Sequence, residues 1–147
     1  MKQQPIRAAM VACVVFGLLG CAQINDTAFS LVSSSVSAVA IVDGQRMQGE
    51  MQVFPNRTGN VRLRAVDTAG STAGPLTACM GRLRYTAAST GAVDLRCNGG
   101  VMADIPMSLL AETRGYGYGR TASGTASLAF GLSELENQVH LNPHADP

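Results

Sequence analysis

The sequence predicts an all-β domain, a small antiparallel barrel or sandwich of about seven or eight strands with one disulfide hairpin. Three observations carry that expectation. Short segments alternating apolar with polar residues recur through residues 36–131, divided by Gly, Pro, Asn and Asp. Sustained helical periodicity is missing there, while Thr, Ser, Val and Ala dominate. Cys79 and Cys97 frame a segment that folds back on itself in a single self-consistent register.

The first element precedes the domain. "MKQQPIR" carries Lys2 and Arg7 and no acid, and "AAMVACVVFGLL" then runs twelve residues without charge. A basic start followed by an apolar run of roughly 7–15 residues has the form of a secretory signal, whereas a spanning helix needs about 20. Its ending, Leu18-Leu19-Gly20-Cys21, resembles the lipobox of bacterial lipoproteins. That resemblance implies cleavage before Cys21, a diacylglyceryl group on its thiol and acylation of the new amino terminus. Each buried methylene contributes about 0.8 kcal/mol, so two or three chains anchor stably where one does not. The lipid bilayer is then the first expected partner. Ala22 in place of Asp after the cysteine implies, by the enterobacterial sorting rule, an outer-membrane address facing the periplasm. The competing reading makes Cys21 merely the first residue after a poorly defined cleavage site. Cys13 lies in the apolar run and would leave with the signal segment, residues 1–20.

Cleavage would leave 127 of the 147 residues, enough for one domain with a core. Those residues hold nine arginines, no lysine and ten acids, close to neutrality. Such a balance argues against nucleic acid, which demands a basic stripe, and against electrostatic attachment to anionic lipid.

Residues 21–35 read as a small, polar tether, although Phe29, Leu31 and Val32 also suit the beginning of a strand. "VSAVAIV" (36–42) is strand-like and "DGQ" (43–45) a turn signal. In "MQGEMQVF" (47–54), Met47, Gly49, Met51 and Val53 share one face and Gln48, Glu50 and Gln52 the other. Pro55 and "NRTGN" (56–60) punctuate. "VRLRAV" (61–66) places Val61, Leu63 and Ala65 inward, with Arg62 and Arg64 outward. Residues 67–75 read as loop.

The segment from Cys79 to Cys97 pairs around "TAAST" (86–90). Tyr85 then faces Gly91, Leu83 faces Val93, Gly81 faces Leu95 and Cys79 faces Cys97. On the other face the same register opposes Arg82 and Asp94, a favourable charge pair. In an oxidising compartment the two cysteines read as one disulfide. Neither belongs to a Cys-x-x-Cys and both histidines stand in the tail, which disfavours a metal site; no metal and no cofactor are expected.

After the "NGG" turn (98–100), Ile105, Met107, Leu109 and Ala111 alternate with Asp104, Pro106, Ser108 and Leu110, and Pro106 suggests an edge strand or a bulge. "GYGYGR" (115–120) and "TASLAFG" (125–131) complete the domain, 36–131. The polar tail, 132–147, is expected to be mobile, although Ser133 with Glu136 matches a capping box for one or two helical turns.

Cys79-x-Gly81, Cys97-Asn98-Gly99, the glycines 115, 117, 119 and 124, and Phe130-Gly131 resemble a short domain of small alphaproteobacterial lipoproteins, over about residues 76–131. The resemblance implies a β-rich fold and no particular activity.

Candidate chemistry is sparse. Tyr116 and Tyr118 could stack against sugar rings of peptidoglycan or lipopolysaccharide; the plainer reading is that the intervening glycines admit close packing and the tyrosines cover them. His140 and His144 are four apart, but Pro143 breaks the helix that would align them. Arg62, Arg64, Arg82, Arg84 and Arg96 suit either a stripe gripping an acidic partner or an ordinary solvated face, and interleaved acids favour the latter. No Gly-x-Ser-x-Gly occurs, and Glu50, Asp94 and Asp104 have no spacing that argues for an active site.

The expectation is a lipid-anchored envelope protein, not an enzyme, with a structural or interaction role toward another envelope protein or a glycan. The alternative is a periplasmic inhibitor or ligand-binding module, similar in size, lipobox and disulfide to lysozyme-inhibitor lipoproteins. Their serine–glycine–tyrosine motif has no counterpart here.

Overall fold

A computed structural model describes residues 32–66 and 74–141. The chain divides into two units, Met1–Ser33 and Ser34–Pro147, and the elements described below belong to the second. The signal segment, the lipobox with Cys21, most of the tether including Phe29 and Leu31, and His144 lie outside the described residues.

Eight strands run β1 (Ser34–Val42), β2 (Gln45–Val53), β3 (Thr58–Ala65), β4 (Ala78–Tyr85), β5 (Thr90–Cys97), β6 (Met102–Ala111), β7 (Arg114–Arg120) and β8 (Thr125–Phe130). Each pairs antiparallel with its neighbours in sequence, and β1 also pairs with β8. The sheet therefore closes: the fold is a barrel, not a sandwich. The first strand starts two residues before the expected boundary, at Ser34, and exposed Val32 precedes it.

Alternation separates the two surfaces. Met47, Met51, Leu63, Leu83, Leu95, Ile105, Leu128 and Phe130 point inward and are fully buried. Eight strands enclose a space just wide enough for such side chains to fill, and here they fill it. The β1–β2 turn bears out its sequence signal, since Asp43 and Gly44 both adopt positive φ (48° and 81°) as a two-residue hairpin turn requires. The "NRTGN" punctuation is shorter than expected. Asn56 Oδ1 accepts hydrogen bonds from the Thr58 amide and hydroxyl, so the chain has already re-entered a strand at Thr58.

Two expectations are revised. Pro106 sits in the middle of β6, between β5 and β7, and not at an edge, because a closed sheet has none. Pairing with β7 lapses between Asp104↔Arg120 and Met107↔Gly117, where proline supplies no N–H, and an irregularity follows at Leu109/Ala111. The tail, in turn, contains a packed helix, α1 (Glu134–Leu141), against β8 and β1. Leu132 and Leu141 bury themselves with Val39 and Ala129, and that apolar contact holds the segment down. The capping box is present: the Ser133 amide donates to Glu136 Oε2 (2.8 Å) and the Glu136 amide to Ser133 Oγ (3.4 Å).

Candidate functional site

Because the interior is filled, the outer wall carries the accessible chemistry. In the ring of strands, β4 and β5 lie across from β8 and β1, so α1 covers one side, and among the described residues no element covers the opposite side. On β3, β4 and β5 the outward charged residues are Arg62, Arg64, Arg82, Arg84 and Arg96 against Asp94 alone, a formal charge of +4. Cross-strand register aligns Arg62 with Met80, Met80 with Arg96, and Arg96 with Met102. An Arg–Met–Arg–Met row thus crosses four adjacent strands, with Met80 64 % and Met102 60 % exposed. Asn60, Arg62, Met80, Arg82 and Arg96 frame a groove of about 380 Å³ on this wall.

The expected hairpin is present residue for residue, from Cys79↔Cys97 to Tyr85↔Gly91, and the disulfide joins its open end. The Cys97 amide bonds to the Val101 carbonyl on the far side, leaving the cysteine pair at a non-hydrogen-bonded position, where side chains approach closely. One detail differs. Asp94 is opposed to Arg82 but forms its ion pair diagonally with Arg84, Nη2 to Oδ2 at 2.9 Å. The opposed pair is a wide, hydrogen-bonded one, and a long arginine reaches the diagonal neighbour as readily. Arg62, Arg64, Arg82 and Arg96 make no ion pair among the described residues, whose pairs are Arg46–Glu134, Arg84–Asp94 and Arg114–Glu136.

The tyrosines of β7 face outward and its glycines inward, as the alternation requires. Both rings are engaged by α1. His140 stacks on Tyr116 with centroids 4.0 Å apart, and the Tyr118 hydroxyl donates to the His140 carbonyl. The face a sugar ring would take on Tyr116 is occupied by the imidazole. Burial raises the Tyr118 hydroxyl above its ordinary pKa, with Tyr116 adding to the effect. Arg46 and Arg114 reach Glu134 and Glu136 at 2.8 and 2.6 Å and clasp the helix at its first turn.

At one end of the barrel Arg57, at φ 63°, lies 5.2 Å above the Tyr85 ring and donates to the Ala87 carbonyl, while the Tyr85 hydroxyl donates to the Glu112 carbonyl. Three turns are stitched together there. Burial first, then Glu112, raises the Tyr85 hydroxyl, against the opposing pull of Arg57. Among the described residues no three His, Cys, Asp or Glu side chains converge as a metal site would need. No helix among them is long and apolar enough to cross a membrane.

Geometry of this kind defines an eight-stranded up-and-down β-barrel closed on itself, with one disulfide and one packed α-helix among the described residues. A redesigned β-barrel, b11L5F_LGL, is similar at 22 % identity and a TM-score of 0.50, over 71 % of this chain and 94 % of that one. The redesigned barrel mFAP1 bound to DFHBI matches at 17 % identity and a TM-score of 0.49, over 69 % and 94 %. The first likeness bears on the fold alone. No family model matches the chain, and no curated protein does.

Sequence reading placed the outward arginines but passed over Met80 and Met102. Their signal was present: each occupies a polar-phase position of its strand, where an apolar side chain must stand in water. The clasp by Arg46 and Arg114 had no signal, because it joins residues 88 and 22 positions apart.

Proposed function

We propose that this chain is a lipid-anchored, non-catalytic protein of a bacterial envelope whose barrel works through its outer wall. One observation supports the wall over the interior as the working surface. The barrel is packed with its own side chains, while the side opposite α1 carries four arginines without ion-pair partners among the described residues, beside exposed methionines. The anchor rests on the resemblance of Leu18-Leu19-Gly20-Cys21 to a lipobox. The role assigned is contact with another envelope component, and no reaction is assigned.

The test is the intact mass of the protein extracted from membranes, with and without reduction before alkylation. A chain starting at Cys21 with about three acyl groups supports the anchor. Two alkylated thiols appearing only after reduction support the bridge being formed in the cell. An unmodified mass would remove the anchor and with it the envelope address.

A further inference from the structure

We propose that the outer wall of β3–β6 seats on an anionic lipid bilayer, its arginines on headgroup phosphates and its methionines among the uppermost acyl segments. The proposal deepens the envelope reading and rests on it for the membrane in question.

Register supplies the first reason. Arg62, Met80, Arg96 and Met102 stand side by side on four strands, and strands spaced about 4.8 Å apart make this row about 14 Å wide. Arg82 lies two residues beyond Met80 on the same face. Cation and thioether alternate at a spacing that lets each guanidinium meet a phosphate while each methionine slides between headgroups. Guanidinium matches phosphate oxygens in a planar, bidentate fashion, and methionine adapts its shape to a disordered apolar surrounding.

Availability supplies the second. Arg62, Arg64, Arg82 and Arg96 have no carboxylate to give up among the described residues. Asn60, Arg62, Met80, Arg82 and Arg96 border a groove of about 380 Å³, room for a phosphodiester group.

Shape and charge distribution supply the third. The wall of a closed barrel is convex; a rigid protein partner would need a matching concavity, whereas a fluid headgroup layer conforms to it. The whole chain is nearly neutral, at +1, yet the wall of β3–β6 carries +3, five arginines against Asp94 and Asp104. Attraction to a charged surface is local, acting within a screening length of about 10 Å at 0.1 M salt. Local charge therefore decides, not the net value.

The chain contains no tryptophan, so one introduced residue reports its own depth. Met80→Trp, Met102→Trp and, on the exposed side of α1, Leu135→Trp are made singly in the full chain. Each is reconstituted with vesicles of phosphatidylethanolamine and phosphatidylglycerol carrying brominated acyl chains, and its mass is recorded. The expected result is several-fold stronger quenching at positions 80 and 102 than at 135. It should weaken in phosphatidylcholine vesicles, at about 1 M salt, where screening shortens to about 3 Å, and when Arg62→Gln, Arg82→Gln and Arg96→Gln are combined with Met80→Trp. Two probes on separate strands guard against one variant failing to fold.

Equal or stronger quenching at 135 would overturn the proposal by putting α1 on the bilayer. Acylation at Cys21 with positions 80 and 102 unquenched would leave the anchor standing and overturn the seat. An unmodified mass would remove the anchor and the envelope address; quenching by added vesicles would still decide the wall, its absence counting against it. An acidic protein cross-linked through the same arginines, with position 80 unquenched, would give the wall to a protein instead.

Discussion

Gly117 shows what one missing methyl group does. An added Cβ would run into the Pro106 carbonyl and stand 2.7 Å from Met107 Sδ. The carbonyl is backbone and cannot step aside, so Gly117→Ala should destabilise by about 1–3 kcal/mol, as overpacking does. Equilibrium urea unfolding of the variant against the parent checks this, and an unchanged midpoint would refute it. The inward glycines of "GYGYG" were legible in the sequence as sites of close approach. What they approach was not, because Pro106 comes from the preceding strand through a register no local pattern sets. Asp94 teaches the same lesson: the register opposes it to Arg82, but the reach of an arginine gives the ion pair to Arg84.

Among the elements, the β4–β5 hairpin was the most legible. Its apolar face, its cysteine pair and its turn all demand one register, and adjacency in sequence makes that register cheap to find. The bridge spans 18 residues, so its loss through paired Cys79→Ala and Cys97→Ala should cost about 3 kcal/mol. A drop in the denaturation midpoint equal to that caused by reducing the parent would support the estimate, and no drop would contradict it. Helix α1 was half legible. Ser133 and Glu136 announced the cap, while nothing local announced Arg46, Arg114 or the burial of Leu141. The Ser133 amide, then its hydroxyl, and then Arg114 hold Glu136 below its ordinary pKa. A group depressed in the folded state stabilises it above its unfolded pKa and loses that contribution as the pH falls through the folded value. Docking of α1 should therefore loosen on acidification below the usual glutamate range. Methyl NMR of buried Leu141 would follow it, and Glu136→Gln should abolish the acid dependence of that signal.

At the scale of the molecule, the segregation of charge is the property most at odds with composition. A near-neutral balance was read as arguing against attachment to anionic lipid, yet folding gathers five arginines onto one wall with two aspartates, Asp94 and Asp104. The arginines without ion-pair partners among the described residues contribute little to stability, so Arg62→Gln, Arg82→Gln and Arg96→Gln together should shift unfolding by less than about 0.5 kcal/mol per site. Thermal unfolding of the triple variant measures this, and a large loss would show that the arginines serve the fold and not a partner. The sequence by itself determined the all-β class, a run of about seven or eight short strands, the hairpin register and the pairing of its two cysteines. Each follows from a period of two, a turn residue or a pairing between near neighbours, all written within a short length of chain. Tertiary structure alone decided that β1 would meet β8 and close the barrel, that α1 would cover Tyr116, and that Arg62, Met80, Arg96 and Met102 would form one row. Those facts depend on contacts between distant residues, where burial of the shared core selects one arrangement from many that the local patterns allow.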